Sequence, residues 1–178
     1  MSKIYHISFD YAYALADVKS SLRGADSLDL CSENPQSING FQYDWVTDES
    51  ERIPDFCIIM AELLGCQKTI ADKMTGIQAS ISTVNIKIGS LDYAIFINVP
   101  IVKEALNIRK SKISRFSDGE IMSIDEPVFL PNGYPALFKI EEQSGSYYCL
   151  EEFKENVMDN HYTGLLFTEC KVKSKSWF

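Results

Sequence analysis

Histidine and cysteine carry much of the bond-making that proteins do near neutral pH. This chain has two of the first, His6 and His161, and five of the second, Cys31, Cys57, Cys66, Cys149 and Cys170. His161 and Cys170 stand nine residues apart, across a predicted turn and strand. A thiol–imidazole nucleophile needs its two groups adjacent in space, which spacing alone does not supply. The plainer reading is a turn histidine and a buried thiol. No HExxH, HxH, CxxC or Cys/His cluster offers metal-ligand spacing, so no metal is expected. No GxxxxGK[ST], GxGxxG or GxSxG segment occurs, so neither a phosphate-cradling loop nor a nucleophile elbow is expected. No cofactor is expected. The doublets Glu141-Glu142 and Glu151-Glu152 are poor acid/base pairs, because adjacent residues do not face each other. These residues predict a protein that is not an enzyme.

Two charged stretches suggest binding instead. Phe41 to Glu51 sets Tyr43 and Trp45 beside Asp44, Asp48, Glu49 and Glu51. Aromatic anchors rimmed by charge are what protein interfaces use, so these six are the candidate partner-binding residues. The alternative is that the rings are core and the acids are loop. Arg109, Lys110, Lys112 and Arg115 form a basic run without interleaved aromatics, read as a loop that balances nearby acids.

The chain has 178 residues and a net charge of −8, which argues against nucleic acid as a partner because such binding neutralises phosphates with Lys and Arg. It allows a basic protein partner, since opposite fields speed encounter. At 46% hydrophobic, the chain can bury a core without disulfides, and the irregularly spaced cysteines read as reduced thiols. Asp10 and Asp17 interrupt the opening residues, so no signal peptide is expected, and no apolar run nears the roughly 20 residues of a membrane span. A cytoplasmic protein with no membrane association is expected.

The elements that must position these residues follow from periodicity. Leu150, Phe153 and Val157 predict a helix closed by a left-handed Asn160, with Gly164 leading into a strand from Leu165. Ile4 to Phe9 predicts a strand, and Asp10 a cap for a helix over Tyr11 to Arg23, although Tyr11 to Tyr13 also suits an extended strand. Ala25 to Asn39 predicts a loop, and Phe41 to Val46 a strand. Phe56 to Met60 predicts a strand and Gln67 to Thr75 a helix. Ser82 to Ile88 and Tyr93 to Val99 predict a hairpin across Gly89 to Asp92. Pro100 to Leu106 predicts a helix, Val128 to Leu130 and Ala136 to Ile140 strands, and Glu141 to Gly145 a polar loop. The fold class expected is α+β: a mainly antiparallel sheet with a few short helices packed against it. One domain is the first expectation for this length; where a boundary exists, Pro54 marks it, between an N-terminal lobe, 1–53, and an α+β domain, 54–178.

From that proline onward the order of signals resembles a family of bacterial immunity proteins from polymorphic toxin systems. The shared signals are Pro54-Asp55-Phe56 before a short strand, the strand end Ile97-Asn98-Val99, the segment Ala105-Leu106-Asn107 with Ser111, and Thr163-Gly164-Leu165-Leu166-Phe167. Ile97 stands where the family favours Leu, and Asn107 where it favours Asp. The likeness spans about Pro54 to Cys170 and leaves residues 1–53 outside. It implies no catalytic residues. It implies a protein that binds and neutralises a cognate toxin by occluding its active site or substrate path. An enzyme of another type and a protein-binding adaptor are the alternatives.

Overall fold

The structure is a computed structural model that describes residues 2–18, 38, 41–46, 52–60 and 62–173. Among the described residues it is mostly β, with antiparallel pairs predominating and two helices, which agrees with the α+β class expected. The sheets are mixed, however, and one closes into a barrel, which the sequence pattern does not announce.

The opening strand β1 (Ile4–Phe9) lies between the two longest strands of a six-stranded sheet, β13 (Gln143–Leu150) and β14 (Leu165–Val172). Beyond β13 come β12 (Leu137–Ile140) and the short β8 (Ile101–Val102); beyond β14 comes β11 (Val128–Phe129). Alternation sends Tyr5 and Ile7 to one face, and Ile4 and His6 to the other.

Six further strands close a small barrel in the order β2 (Leu15–Val18), β3 (Tyr43–Val46), β6 (Ser82–Ile88), β7 (Leu91–Ile97), β5 (Leu63–Gln67) and β4 (Phe56–Ile59). Its interior is filled by Val18, Tyr43, Ile59, Val84, Ile86, Ile88, Tyr93 and Ile95. β7 is buried on both sides, because Ala94 and Phe96 face outward into a second core. That second core joins barrel to sheet. Phe56, Leu64 and Cys66 meet Tyr5, Ile7, Tyr147 and Cys149 there. The helices α1 (Lys68–Thr75), through Ile70 and Met74, and α2 (Glu151–Asp159), through Phe153 and Val157, fill the same layer. A third core, with Phe129, Phe138 and Tyr148, covers the other sheet face.

Two predicted helices are corrected. Asp10 caps a turn, taking the Ala12 N–H on its carboxylate at 3.0 Å and the Tyr13 N–H on its carbonyl at 3.1 Å. Leu15–Val18 then runs as β2, with Ala16 and Val18 inward; residues 19–23 lie outside the described residues, as does most of the predicted loop 25–39. Pro100 starts no helix: Ile101 and Val102 pair in parallel with Lys139 and Ile140, and the β-branched pair suits that extended backbone. The basic run is corrected in part: Arg109 and Lys110 lie in a turn, but Lys112 and Arg115 belong to a strand, β9 (Lys112–Arg115), that pairs with β10 (Ile121–Glu126). The polar stretch after Ile140 is a tight turn, and Gln143 already belongs to β13. Asn160 does not close α2 in the left-handed region (φ −86°); His161 takes that conformation at φ 55°. The expected boundary at 53/54 falls between β3 and β4, two strands of one barrel.

Candidate functional site

Strand β3 sets three of the six predicted binding residues, and its alternation decides their fates. Tyr43 points into the barrel, where its hydroxyl donates to the Ile38 carbonyl at 2.9 Å. Trp45 is half-buried, edge-on to Tyr93 at 5.4 Å, and its indole N–H has no hydrogen-bond partner among the described residues. Asp44 faces outward and takes the Trp45 N–H at 3.0 Å. Asp48, Glu49 and Glu51 lie outside the described residues.

The outer wall of β2 and β3 adds residues that the sequence reading missed. Leu15 stands opposite Val46 and Asp17 opposite Asp44, with Leu15 and Val46 both exposed. Tyr11 is 80% exposed just before them. A helical reading of 11–23 aims Tyr11 and Leu15 at a core; the pairing of β2 with β3 turns Leu15 to solvent, and Tyr11 stands exposed in the turn before it. Beside this wall a groove of about 560 Å³ opens between Phe41-Gln42-Tyr43 and Asn85-Ile86-Lys87. Carboxylates in register repel unless each is held by donors. Asp17 takes the Val18 N–H at 2.8 Å, and Asp44 the indicated tryptophan amide.

A second concavity gathers titratable groups. Ile4 pairs with Cys170 and His6 with Thr168, which sets His6 and Cys170 diagonally on one sheet face. A cleft of about 180 Å³ is lined there by His6, Tyr148, Thr168 and Cys170, with Asp125 and Glu126 on its rim. The titratable ring that shares a cleft with Cys170 is thus His6, and register alone reveals it; the thiol itself donates to the Thr168 carbonyl at 3.7 Å. Burial pushes the Cys170 thiol up to about 11, although a hydrogen bond from the His6 backbone amide opposes that rise. Burial lowers the His6 imidazole from its ordinary value. A nucleophilic pair needs a thiolate beside an imidazolium, the opposite of both shifts. Cys57, Cys66 and Cys149 are buried free thiols, all pushed upward by burial. Cys31 lies outside the described residues. Among the described residues no group of three His, Cys, Asp or Glu side chains is set to hold a metal ion, and no helix is long and apolar enough to cross a membrane.

The segments singled out by sequence close on one another as clasps. The Asp55 carboxylate accepts from the Thr163 amide at 2.9 Å and its hydroxyl at 2.8 Å, and the Phe56 amide donates to the Thr163 carbonyl at 2.9 Å. Gly164 packs against the backbone of Phe56 with φ +100°. The Tyr93 hydroxyl donates to the Pro54 carbonyl. Asn107 and Ser111 grip Val128 in the same way, the amide of Asn107 donating to its carbonyl at 2.7 Å and the Ser111 hydroxyl accepting from its amide at 3.0 Å. No family model matches the chain, and no curated protein matches it either.

Proposed function

We propose that the protein is an immunity protein, an antitoxin that binds a cognate bacterial toxin in the cytoplasm and blocks its active site or substrate path. The observation that supports this is the meeting of the motifs that carry the resemblance. Pro54-Asp55-Phe56 and Thr163-Gly164 form one clasp across 108 residues of sequence, so the two signals depend on each other physically. Those motifs build the scaffold and leave the contact to the surface between them. On this reading the acidic stretch from Asp44 to Glu51, continued by Leu15, Val46 and Tyr11, meets a basic toxin. Acidic groups speed the encounter, and exposed apolar groups slow release.

The test is co-expression with the protein of the adjacent reading frame, scored for survival and co-purification. Charge reversal at Asp48, Glu49 and Glu51 is expected to slow association and flatten its salt dependence. A neighbouring product that kills equally well with and without this chain would sink the reading.

One observation favours an enzyme instead: the cleft that holds His6, Cys170 and Tyr148 with burial-shifted groups. Turnover by the isolated protein, lost in a folded His6→Ala variant, would establish that reading.

A further inference from the structure

On one side the barrel is sealed by very little. β3 and β6 run parallel and meet at one register pair, Tyr43 with Ile88, beside which the Gly89 amide donates to the Tyr43 carbonyl at 3.1 Å. Upstream of that pair the two chains part, and the groove of about 560 Å³ opens between Phe41-Gln42 and Asn85-Ile86-Lys87. Among the described residues, no strand pairs with β6 on this side from Ser82 to Lys87.

Register tells which backbone groups face the groove. Ile88 stands opposite Leu91 across the two-residue turn Gly89-Ser90, and the pair that flanks such a turn exchanges both of its hydrogen bonds. Every second residue back along the strand repeats this, so Ile86 bonds to Tyr93 and Val84 to Ile95 of β7. Thr83, Asn85 and Lys87 point their amides the other way, as Gly89 does. Side chains alternate as well: Val84 and Ile86 face the barrel core, while Asn85 and Lys87 are exposed. An open row of edge amides and carbonyls is a template for another strand.

We propose that an extended segment of a partner protein enters this groove as an added strand, bonding to the amides of Thr83, Asn85 and Lys87. Main chain selects the occupant, since unpaired amides at strand spacing are matched by the carbonyls of a strand. Charge does not select it, because Lys87 is already paired with Asp92 at 2.9 Å. The groove also has a second wall, Phe41-Gln42-Tyr43, so it takes a single free segment. A strand of a second copy's sheet would bring its own neighbour into that wall. Ile86 and Phe41 line the groove, so every second side chain of the segment is apolar, and those beside Asn85 and Lys87 are polar. The inference rests on the toxin reading: the partner is the toxin, and the groove holds a loop or tail of it next to the β2–β3 wall.

The experiment follows amide exchange by NMR, residue by residue, in the free protein and with the purified product of the adjacent reading frame bound. In the free protein Thr83 and Asn85 are expected to exchange at least about tenfold faster than Val84 and Ile86. In the complex Thr83, Asn85 and Lys87 are expected to slow by at least about tenfold. Two variants separate main chain from side chain. Asn85→Pro removes an edge amide and spares the bonds to β7, so it is expected to weaken binding at least about tenfold. Asn85→Ala keeps the amide and is expected to bind within about twofold of wild type. Should far-UV dichroism show Asn85→Pro unfolded, the exchange pattern of wild type decides alone. Slow Thr83 and Asn85 amides in the free protein overturn the added strand, because the edge is then already covered. Binding that leaves those amides fast overturns it too, and leaves the toxin reading standing. Slowing on concentration of the free protein alone makes a second copy the occupant and overturns the toxin segment. Failure of wild type to bind overturns both readings.

Discussion

Gly164 is held where a side chain has no room. Its φ is +100°, and a Cβ there would run into the Phe56 carbonyl and meet the Pro54 ring at 2.7 Å. A backbone carbonyl and a rigid proline ring make relief expensive, so Gly164→Ala is expected to cost about 3 kcal/mol or more by urea unfolding. Gly133, with nothing within 4 Å, is the control: Gly133→Ala is expected to stay within about 0.5 kcal/mol of wild type. The neighbouring Asp55–Thr163 bonds are partly buried. A double-mutant cycle over Asp55→Ala and Thr163→Val should therefore return a coupling of about 1 to 2 kcal/mol. His6 links the cleft to pH. Burial lowers its imidazole below the ordinary 6.5, so the unfolded chain takes up the proton more readily than the folded one. The neutral ring's contribution is complete above pH 6.5 and is lost as pH falls through the folded value. Facing the ring are Tyr148, Thr168 and Cys170, with Asp125, Glu126, Glu169 and Lys171 at the rim. Urea midpoints measured from about pH 7.5 to pH 5 are expected to fall, and His6→Gln to flatten that fall. A midpoint that rises on acidification would mean that the rim carboxylates outweigh burial.

Strands differ in how firmly the barrel holds them. β7 is bonded along its length by β6 and along part of it by β5, and its centre is sealed. β3 is bonded by β2 and reaches β6 through one register pair, Tyr43 with Ile88, plus the Gly89 amide on the Tyr43 carbonyl at 3.1 Å. Amides of β2 and β3 are therefore expected to exchange through smaller openings than those of β7, by about tenfold or more in rate. Tyr43→Phe removes the bond to Ile38 and should widen that gap. The same contrast explains what sequence made legible. The β6–β7 hairpin was readable because Val84, Ile86 and Ile88 alternate with polar residues and Gly89, at φ +58°, makes the turn locally. β2 was not, because Tyr11, Leu15 and Val18 also fit a helical stripe, and only non-local pairing with β3 and β4 decides between the two. β5 hides for a related reason: Leu63-Leu64-Gly65-Cys66 has no alternation once both of its faces are covered. The proposed binding stretch is legible only over Tyr43–Val46, its described part. Its position on a strand followed from alternation, but the same alternation turns Tyr43 inward and exposes Val46.

At the scale of the molecule the question is whether barrel and sheet unfold together. The layer between them is built by both: Phe56, Leu64, Cys66 and Phe96 from the barrel, and Tyr5, Ile7, Leu137 and Tyr147 from the sheet. Polar bonds cross it too, since the Tyr147 hydroxyl donates to the Glu62 carbonyl at 2.8 Å and accepts from the Leu64 amide at 3.1 Å. α1 follows β5 and α2 follows β13, yet both pack into this one layer. Neither half can keep its share of apolar burial if the other leaves, so a single cooperative transition is expected. Two probes separate the halves. Trp45 fluorescence reports the barrel through its contact with Tyr93, once Trp177→Phe removes the second indole. Modification of the Cys149 thiol, buried in the sheet and read by mass spectrometry on its own peptide so that Cys57 and Cys66 of the barrel do not contribute, reports the other half. The two curves are expected to coincide in urea. Tyr147→Phe, which strips the bonds across the layer, should lower both midpoints equally, for a loss of about 1 to 3 kcal/mol of stability, because the Leu64 amide is left buried without a partner. Midpoints that separate, with Trp45 released before Cys149, would show that the barrel and the sheet are independent units and that the shared layer is too weak to couple them.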